Sequence, residues 1–166
     1  ELPCVVDAGA LALLGPRQAP TVITPHAGEL ARLLARLGLP AAGPGDLTRE
    51  AVLADPVRHA QTAADALGVV VLLKGATTLI VSPGASRRPI RSQADAPAWL
   101  ATAGAGDVLG GIIGTLLAAG LDPVDAASVG ALVHGAAATR VSAGGPLRVL
   151  DVAQALPATV AALLDA

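Results

Sequence analysis

The chain has 166 residues, a length that suits one domain with enough material for a substantial core. Hydrophobic residues make up 53% of it and charged residues 14%, and because the apolar mass is alanine, valine and leucine, this composition favours helices packed on a parallel sheet over an aromatic-cored β-sandwich. The formal net charge is −2 and no stretch combines basic residues with stacking aromatics, so nothing indicates a nucleic-acid or anionic-membrane partner.

The first half of the chain alternates short apolar runs with amphipathic segments. Strands are predicted at residues 2–6, 21–23 and 69–73, and helices at residues 9–14, 25–37 and 56–67. A Gly/Pro-rich loop is predicted at residues 38–46. Cys4 lies in the first strand, where a packed thiol is the favoured interpretation. Because strand and helix alternate, we expect a parallel central sheet with right-handed crossovers.

The second half of the chain opens with a pair of antiparallel strands. They are predicted at residues 78–81 and 89–92, joined by a turn at residues 82–85, and three helices follow at about residues 107–119, 123–141 and 152–164. The uncharged run 108–121 is about 21 Å long as a helix, too short for a membrane span, so we expect a buried helix. Its Gly110 and Gly114 lie on one face with Ala118, and we predict that they allow another element to approach closely.

A glycine-rich loop, Ala101-Thr102-Ala103-Gly104-Ala105-Gly106-Asp107, leads into that helix. Gly104 and Gly106 permit conformations that a side chain forbids, and the N–H groups of a helix start can bind an anion. Asp107 places a carboxylate there, which could take a proton from a hydroxyl held beside a phosphate. The alternative is that Asp107 is a plain helix cap. The loop lacks the third glycine of a dinucleotide fingerprint and the Gly-Lys-Ser/Thr of a Walker A loop.

Lys74 is the single lysine beside ten arginines, and it directly follows the buried strand 69–73. The carboxyl ends of strands form the edge where open α/β sheets bind ligands. A compact ammonium there suits an oxygen-rich ligand, and we predict a phosphate contact. The alternative is that Lys74 simply ends a strand in solvent.

Three blocks in this order carry a resemblance to a known family. They are Thr24-Pro25-His26-Ala27-Gly28-Glu29, then Leu73-Lys74-Gly75-Ala76-Thr77-Thr78, then residues 101–111. Together they resemble the ADP/ATP-dependent NAD(P)HX dehydratases of the ribokinase-like superfamily. The resemblance implies a three-layer α/β sandwich, with helices on both faces of a mostly parallel central sheet. It also implies repair of hydrated NADH or NADPH, in which phosphorylation turns the hydroxyl into a leaving group and elimination restores the dihydronicotinamide.

The resemblance also assigns site residues. His26 matches the family's histidine at the hydrated nicotinamide nucleotide, and Asp107 matches the carboxylate that faces this substrate and serves as catalytic base. The nucleotide-binding residues are Lys74, Gly75, Ala76, Thr77, Thr78 and Gly106, to which we add Gly104 of the same loop. Glu29 is interpreted as a cap of its own helix start.

The family further implies ADP or ATP as phosphoryl donor together with Mg²⁺, and no residue of this chain is assigned as a metal ligand. It implies a homo-oligomer, and an NAD(P)HX epimerase as a fused domain or partner. We expect residues 1–166 to form a single domain that lacks the family's first strands, and, since no signal peptide is present, a cytoplasmic location.

The chain departs from the family before the glycine loop, where the family has an Asn-rich approach and this chain has Asp95-Ala96-Pro97-Ala98-Trp99. Gly9 stands where the family often has a second acidic residue, which weakens any metal role for Asp7. Two other functions stay open. One is a vitamin or sugar kinase of the same superfamily, and the other is a nucleotide-binding fragment without catalytic activity.

Overall fold

The computed structural model describes residues 2–40 and 46–165. The strands in these ranges are β1 (Cys4–Val6), β2 (Thr21–Ile23), β3 (Val70–Leu73), β4 (Thr78–Val81) and β5 (Arg91–Gln93). The α-helices are α1 (Ala27–Arg36), α2 (Arg49–Ala54), α3 (Pro56–Leu67), α4 (Ala105–Ala118), α5 (Pro123–Ser142) and α6 (Val149–Leu164). Short 3-10 helices cover Ala8–Leu13, Gly84–Ser86 and Ala98–Leu100.

The elements follow the predicted order, with two additions. The sequence pattern did not predict α2, whose six residues are too few to show a hydrophobic period. Its signal is local, because the Thr48 hydroxyl accepts the Ala51 N–H at 3.2 Å as an N-cap. The 3-10 helix Ala98–Leu100 was not predicted either. Most of the predicted loop 38–46 falls on residues 41–45, which lie outside the described residues.

The strands form one sheet in the order β1-β2-β3-β4-β5. The pairs β1–β2 and β2–β3 are parallel, and β4 is antiparallel to both β3 and β5. Four of the five strands therefore run in the same direction, as the sequence predicts, and β4 is the exception. The predicted antiparallel pairing of the last two strands is confirmed, with the final strand at Arg91–Gln93 instead of residues 89–92.

Successive residues of β3 point to opposite faces of the sheet and enter two different cores. Val71 and Leu73 pack with the residues of α1 and α3 on one face. Val70 and Leu72 pack with the residues of α4 and α5 on the other face. The architecture is thus helix, sheet, helix, and β3 is buried on both sides along its whole length.

The tight packing between α4 and α5 comes from a glycine of α5. A Cβ on Gly130 would lie 2.6 Å from Cγ1 of the buried Ile113, so these helices can approach only because that position is glycine. The prediction for Gly110 and Gly114 is wrong. Within the described chain, a Cβ on Gly110 would meet no atom within 4 Å, and one on Gly114 would make an ordinary 3.9 Å contact with Val5. Neither glycine is therefore required for a close approach between the described elements.

The uncharged run predicted as a buried helix forms most of α4, which has Leu109, Ile113 and Leu117 on its buried side. Among residues 2–40 and 46–165, no helix is both long enough and apolar enough to cross a membrane.

Candidate functional site

Parallel pairing brings the carboxyl ends of the first three strands to one edge of the sheet. Val6 is in register with Ile23, and Ile23 is in register with Val71. Beyond the strands the alignment continues as a parallel bridge between His26 and Lys74. The residues that follow each strand therefore meet at this edge, where open α/β sheets bind ligands.

The ammonium group of Lys74 is held between two carboxylates. Its Nζ donates to Asp7 Oδ1 at 2.8 Å and lies 3.8 Å from Glu29 Oε2. Its backbone N–H donates to the Pro25 carbonyl at 2.8 Å, which fixes the residue in the sheet. Lys74 therefore does not end its strand in open solvent, because its side chain is three-quarters buried within a polar cluster.

Asp7 is the main partner of the Lys74 ammonium, and the sequence patterns did not predict this pairing. Burial raises the pKa of its carboxyl, but the hydrogen bond from Lys74 and smaller favourable contacts outweigh it, so the pKa lies below its usual value. The carboxylate is thus charged at neutral pH. Asp7 and Lys74 both follow strands that run parallel, so the alignment of strand ends was the available signal for this pair.

His26 forms the N-cap of α1 through a reciprocal pair of hydrogen bonds with Glu29. The Glu29 N–H donates to His26 Nδ1 at 3.2 Å, and the His26 N–H donates to Glu29 Oε2 at 2.8 Å. The predicted capping role of Glu29 is confirmed. Because Nδ1 accepts a hydrogen bond, the neutral imidazole carries its proton on Nε2 and can donate it to a ligand. The ring is exposed on the ligand side of the sheet edge.

The glycine loop brings the start of α4 against this cluster. Gly104 is the N-cap of α4 with φ of 85°, a conformation that favours glycine, and a Cβ there would lie 3.1 Å from Val149 Cγ1. A Cβ on Gly106 would lie 2.9 Å from Asp7 Oδ2 and 3.5 Å from Lys74 Nζ. The absence of a side chain at Gly106 therefore keeps the helix start beside the Lys74 ammonium.

Asp107 is exposed in the first turn of α4. In the part of the chain that the structure describes, its carboxylate makes no hydrogen bond or ion pair, and its backbone N–H donates to the Gly104 carbonyl at 3.1 Å. The N-cap position belongs to Gly104, so the alternative of a plain capping role for Asp107 is wrong. The carboxylate is accessible one residue after Gly106 and has no structural partner to hold it.

The remaining predicted nucleotide-binding residues form the turn from β3 to β4. Gly75, Ala76 and Thr77 are exposed, and a Cβ on Gly75 would lie 3.2 Å from the Thr77 carbonyl oxygen. Thr78 is the first residue of β4 and pairs with Gln93. The structure joins this turn to the cluster through Lys74, and the nucleotide contacts of these four residues stay predictions.

The described residues hold no group of three or more histidine, cysteine or acidic side chains that could bind a metal ion on its own. Mg²⁺ bound to a nucleotide takes most of its ligands from phosphate and water oxygens, with one or two protein carboxylates. An edge that offers the exposed Asp107 and the Lys74-paired Asp7 fits such a Mg²⁺–nucleotide complex as a substrate.

Comparisons with known proteins identify the family of the chain. The family model described as NAD(P)H-hydrate dehydratase matches residues 1–155. The chain is 44% identical over 153 residues to the bifunctional NAD(P)H-hydrate repair enzyme Nnr of Mycobacterium leprae, covering 88% of this chain and 28% of that protein. It is 40% identical over 148 residues to the ADP-dependent (S)-NAD(P)H-hydrate dehydratase of Neisseria meningitidis, covering 83% of this chain and 45% of that protein. The chain thus spans less than half the length of these two relatives.

Solved structures confirm the expected fold class. The ADP/ATP-dependent NAD(P)H-hydrate dehydratase of Bacillus subtilis, co-crystallised with ATP and Mg²⁺ and soaked with CoA, superposes with a TM-score of 0.79 at 27% identity, covering 95% of this chain and 55% of that one. A ribokinase-like superfamily protein of Enterococcus faecalis superposes with a TM-score of 0.67 at 26% identity, covering 93% and 50%. On the family match across residues 1–155 and the identity of its relatives, this chain belongs to the NAD(P)H-hydrate dehydratase family.

Proposed function

We propose that this chain supplies the phosphate-binding edge and the catalytic base of a nucleotide-dependent NAD(P)H-hydrate dehydratase. The observation that carries the proposal is the close approach of the Lys74 ammonium to Gly106, which has no side chain. The next residue, Asp107, has an exposed carboxylate. A cation, a helix start and a carboxylate without a structural partner are the groups that transfer of a phosphoryl group to a hydroxyl requires.

The nucleotide phosphates would bind between Lys74 and the start of α4. The first N–H groups of this 14-residue helix have no helical acceptor, and the helix dipole favours an anion there. Lys74 adds a positive charge that Asp7 and Glu29 hold in place. Bound phosphate would compete with Glu29, the more distant partner of the ammonium.

Asp107 would take the proton from the hydroxyl of the hydrated nicotinamide ring. The hydroxyl oxygen then forms a bond to the terminal phosphorus of the nucleotide, whose bond to the bridging oxygen breaks. The phosphate group of the new ester then leaves the ring with the electron pair of the C–O bond, as inorganic phosphate. A neighbouring ring carbon loses its proton to this phosphate, and the electron pair of the broken C–H bond forms the double bond of the dihydronicotinamide.

His26 would position the substrate at the same edge. Its Nδ1 is occupied by the cap of α1, so Nε2–H is the group directed to a ligand. This N–H donor suits an amide or hydroxyl oxygen of the substrate. We assign it binding and no proton-transfer role, because Asp107 is the accessible carboxylate next to the phosphate site.

Relatives of this chain guide the choice of nucleotide and partner. The Neisseria relative is described as ADP-dependent, the Bacillus neighbour as ADP/ATP-dependent, and the Mycobacterium relative as bifunctional. We therefore propose ADP or ATP with Mg²⁺ as the phosphoryl donor, and an epimerase activity in the same protein or a partner.

The homo-oligomer belongs to the same proposal. Within the described chain β1 pairs only with β2. Leu2, which precedes β1 in sequence, and Leu13, which follows it, are 83% and 88% exposed. Light scattering of the protein across micromolar concentrations should show association that Leu2→Lys with Leu13→Lys reduces. A monodisperse monomer of the unmodified protein would contradict it.

The test of the function uses the protein that carries this chain, hydrated NADH and three conditions: ADP, ATP and no nucleotide. We expect NADH to form only with nucleotide, and one phosphate to be released for each NADH. A stable phosphorylated product without NADH would indicate a kinase of the same superfamily. Nucleotide binding without any product would indicate the non-catalytic alternative.

A further inference from the structure

A cleft lies next to the candidate site, between the 3-10 helix Ala8–Leu13 and α1. Its volume is about 300 Å³, and Glu29 contributes to both the cleft and the Lys74 cluster. The other lining residues are mainly apolar or glycine, with two cations among them: Ala8, Gly9, Leu11, Ala12, Arg32, Leu33 and Arg36. A volume at the lower limit of ligand pockets accommodates one end of a dinucleotide and not the whole molecule.

The charged groups of the cleft differ in whether they already have hydrogen-bond or ion-pair partners within the described chain. Glu29 Oε2 accepts a hydrogen bond from the His26 backbone N–H and lies 3.8 Å from Lys74 Nζ. Glu29 Oε1 lies 3.6 Å from His26 Nε2. Arg36 donates to the carbonyl groups of Leu11 and Leu14 and so ties α1 to the 3-10 helix. Both residues therefore have structural partners.

Arg32 is different, because within the described ranges its guanidinium makes no hydrogen bond or ion pair. It lies close to His26, since a Cβ on Gly28 would be 3.7 Å from Arg32 Nη1 and 3.2 Å from His26 Cε1. The one cation of the cleft without a partner is thus next to the imidazole proposed to bind the substrate. A guanidinium binds phosphate through two parallel hydrogen bonds, which makes a phosphate the fitting ligand.

We propose that this cleft binds the phosphate-bearing part of the dinucleotide substrate and that Arg32 contacts one of its phosphates. The inference rests on the proposed function and adds a second anion site to it. Lys74 and the start of α4 would bind the phosphoryl donor, and Arg32 would bind the acceptor, with His26 between them. The phosphate is either in the diphosphate bridge, which NADHX and NADPHX share, or at the 2′ position of NADPHX.

The test compares Arg32→Gln with the unmodified protein and with Arg49→Gln, a matched change of an exposed arginine at the start of α2. Arg32→Gln should raise the KM for the hydrated substrate roughly 10–100-fold, the loss of a charged hydrogen bond, with kcat and the KM for nucleotide unchanged. An increase for both NADHX and NADPHX would place the diphosphate at Arg32. An increase for NADPHX alone would place the 2′-phosphate there. Arg32→Lys should recover part of the affinity, because it keeps the charge and loses the planar fork.

An unchanged KM for both substrates, or an equal effect of Arg49→Gln, would overturn the inference. Calorimetric binding of NADPH to the same variants does not depend on turnover and separates the two proposals. If the unmodified protein has no activity, the proposed function fails. Weaker NADPH binding by Arg32→Gln alone would still support the cleft, and equal binding by all variants would reject it.

Discussion

Among single residues, Lys74 links the end of β3 to the candidate phosphate site. Its backbone N–H is hydrogen-bonded to the Pro25 carbonyl and its ammonium to the Asp7 carboxylate. The cation is therefore held in position before any ligand binds. A preorganised charge loses little conformational entropy when it binds phosphate. The pair gives the Asp7 carboxylate a structural role, which is to hold the Lys74 ammonium in place.

Replacing Lys74 by alanine should weaken binding of ADP and ATP by about 1–3 kcal/mol, the range for losing a charged hydrogen bond. The change also leaves the Asp7 carboxylate unpaired near the phosphates, which adds repulsion. Isothermal calorimetry on the variant checks this, with Arg49→Ala as a control that removes an exposed cation elsewhere. Equal nucleotide affinity in the unmodified protein and in Lys74→Ala would remove Lys74 from the phosphate site.

Among the elements, α4 and α5 form a packed pair whose contact depends on Gly130. Ile113 is completely buried, and the atom closest to an added Cβ is its Cγ1, which lies inside the side chain and not at its flexible end. The side chain cannot swing away without disturbing the core beneath it.

Gly130→Ala should lower the free energy of unfolding by about 1–3 kcal/mol through overpacking, despite the better helix propensity of alanine. Gly110→Ala is the matched control in α4, where the described atoms leave open space. It should stabilise the chain by up to about 1 kcal/mol through helix propensity alone. Chemical denaturation measures both. Equal effects of the two substitutions would contradict the packing described for Gly130.

Local signals decided how well each element could be predicted. The bounds of α3 follow from Asp55 as N-cap, Pro56 at the first position and Gly68 in the left-handed conformation. The predicted range 56–67 matches this helix. The start of α4 was placed at Asp107, because aspartate is a common cap, whereas the cap is Gly104.

Long-range contacts were less accessible from the sequence. The prediction of a packing role for Gly110 and Gly114 was wrong, because a spacing of small residues does not indicate which face of a helix packs against another element. The pair of Asp7 with Lys74 joins residues 67 positions apart, and only the strand order reveals it. The cleft at Arg32 likewise depends on how the 3-10 helix packs on α1, which no local pattern specifies.

At the level of the whole molecule, folding buries an imidazole in α5. His134 in α5 is 6% exposed, and among the described residues its Nε2 has no hydrogen-bond partner. Burial lowers the pKa of His134 from 6.5 to about 4. The folded protein therefore holds this ring neutral at pH values where the unfolded chain protonates it.

Stability should consequently fall as the pH drops below 6.5, because the unfolded state then binds more protons than the folded state. The loss attributable to His134 should reach roughly 2 kcal/mol between about pH 7 and about pH 5. His134→Gln removes the titrating group, so its free energy of unfolding should change less over this interval, whatever its absolute stability. Denaturation at both pH values measures the difference. Parallel losses in the unmodified protein and the variant would show that other groups cause the pH dependence.

The proposed function depends on Asp107 acting as a base beside nucleotide phosphates held by Lys74 and the start of α4. The decisive measurement is turnover of hydrated NADH and nucleotide affinity on one preparation of Asp107→Asn. Asparagine keeps the size of the side chain and its exposed position, so folding should be unchanged, and affinity should be equal or tighter because a negative charge near the phosphates is gone. Turnover should fall by about 10²–10⁴-fold, the contribution of a positioned base. Turnover near that of the unmodified protein would remove Asp107 from the mechanism.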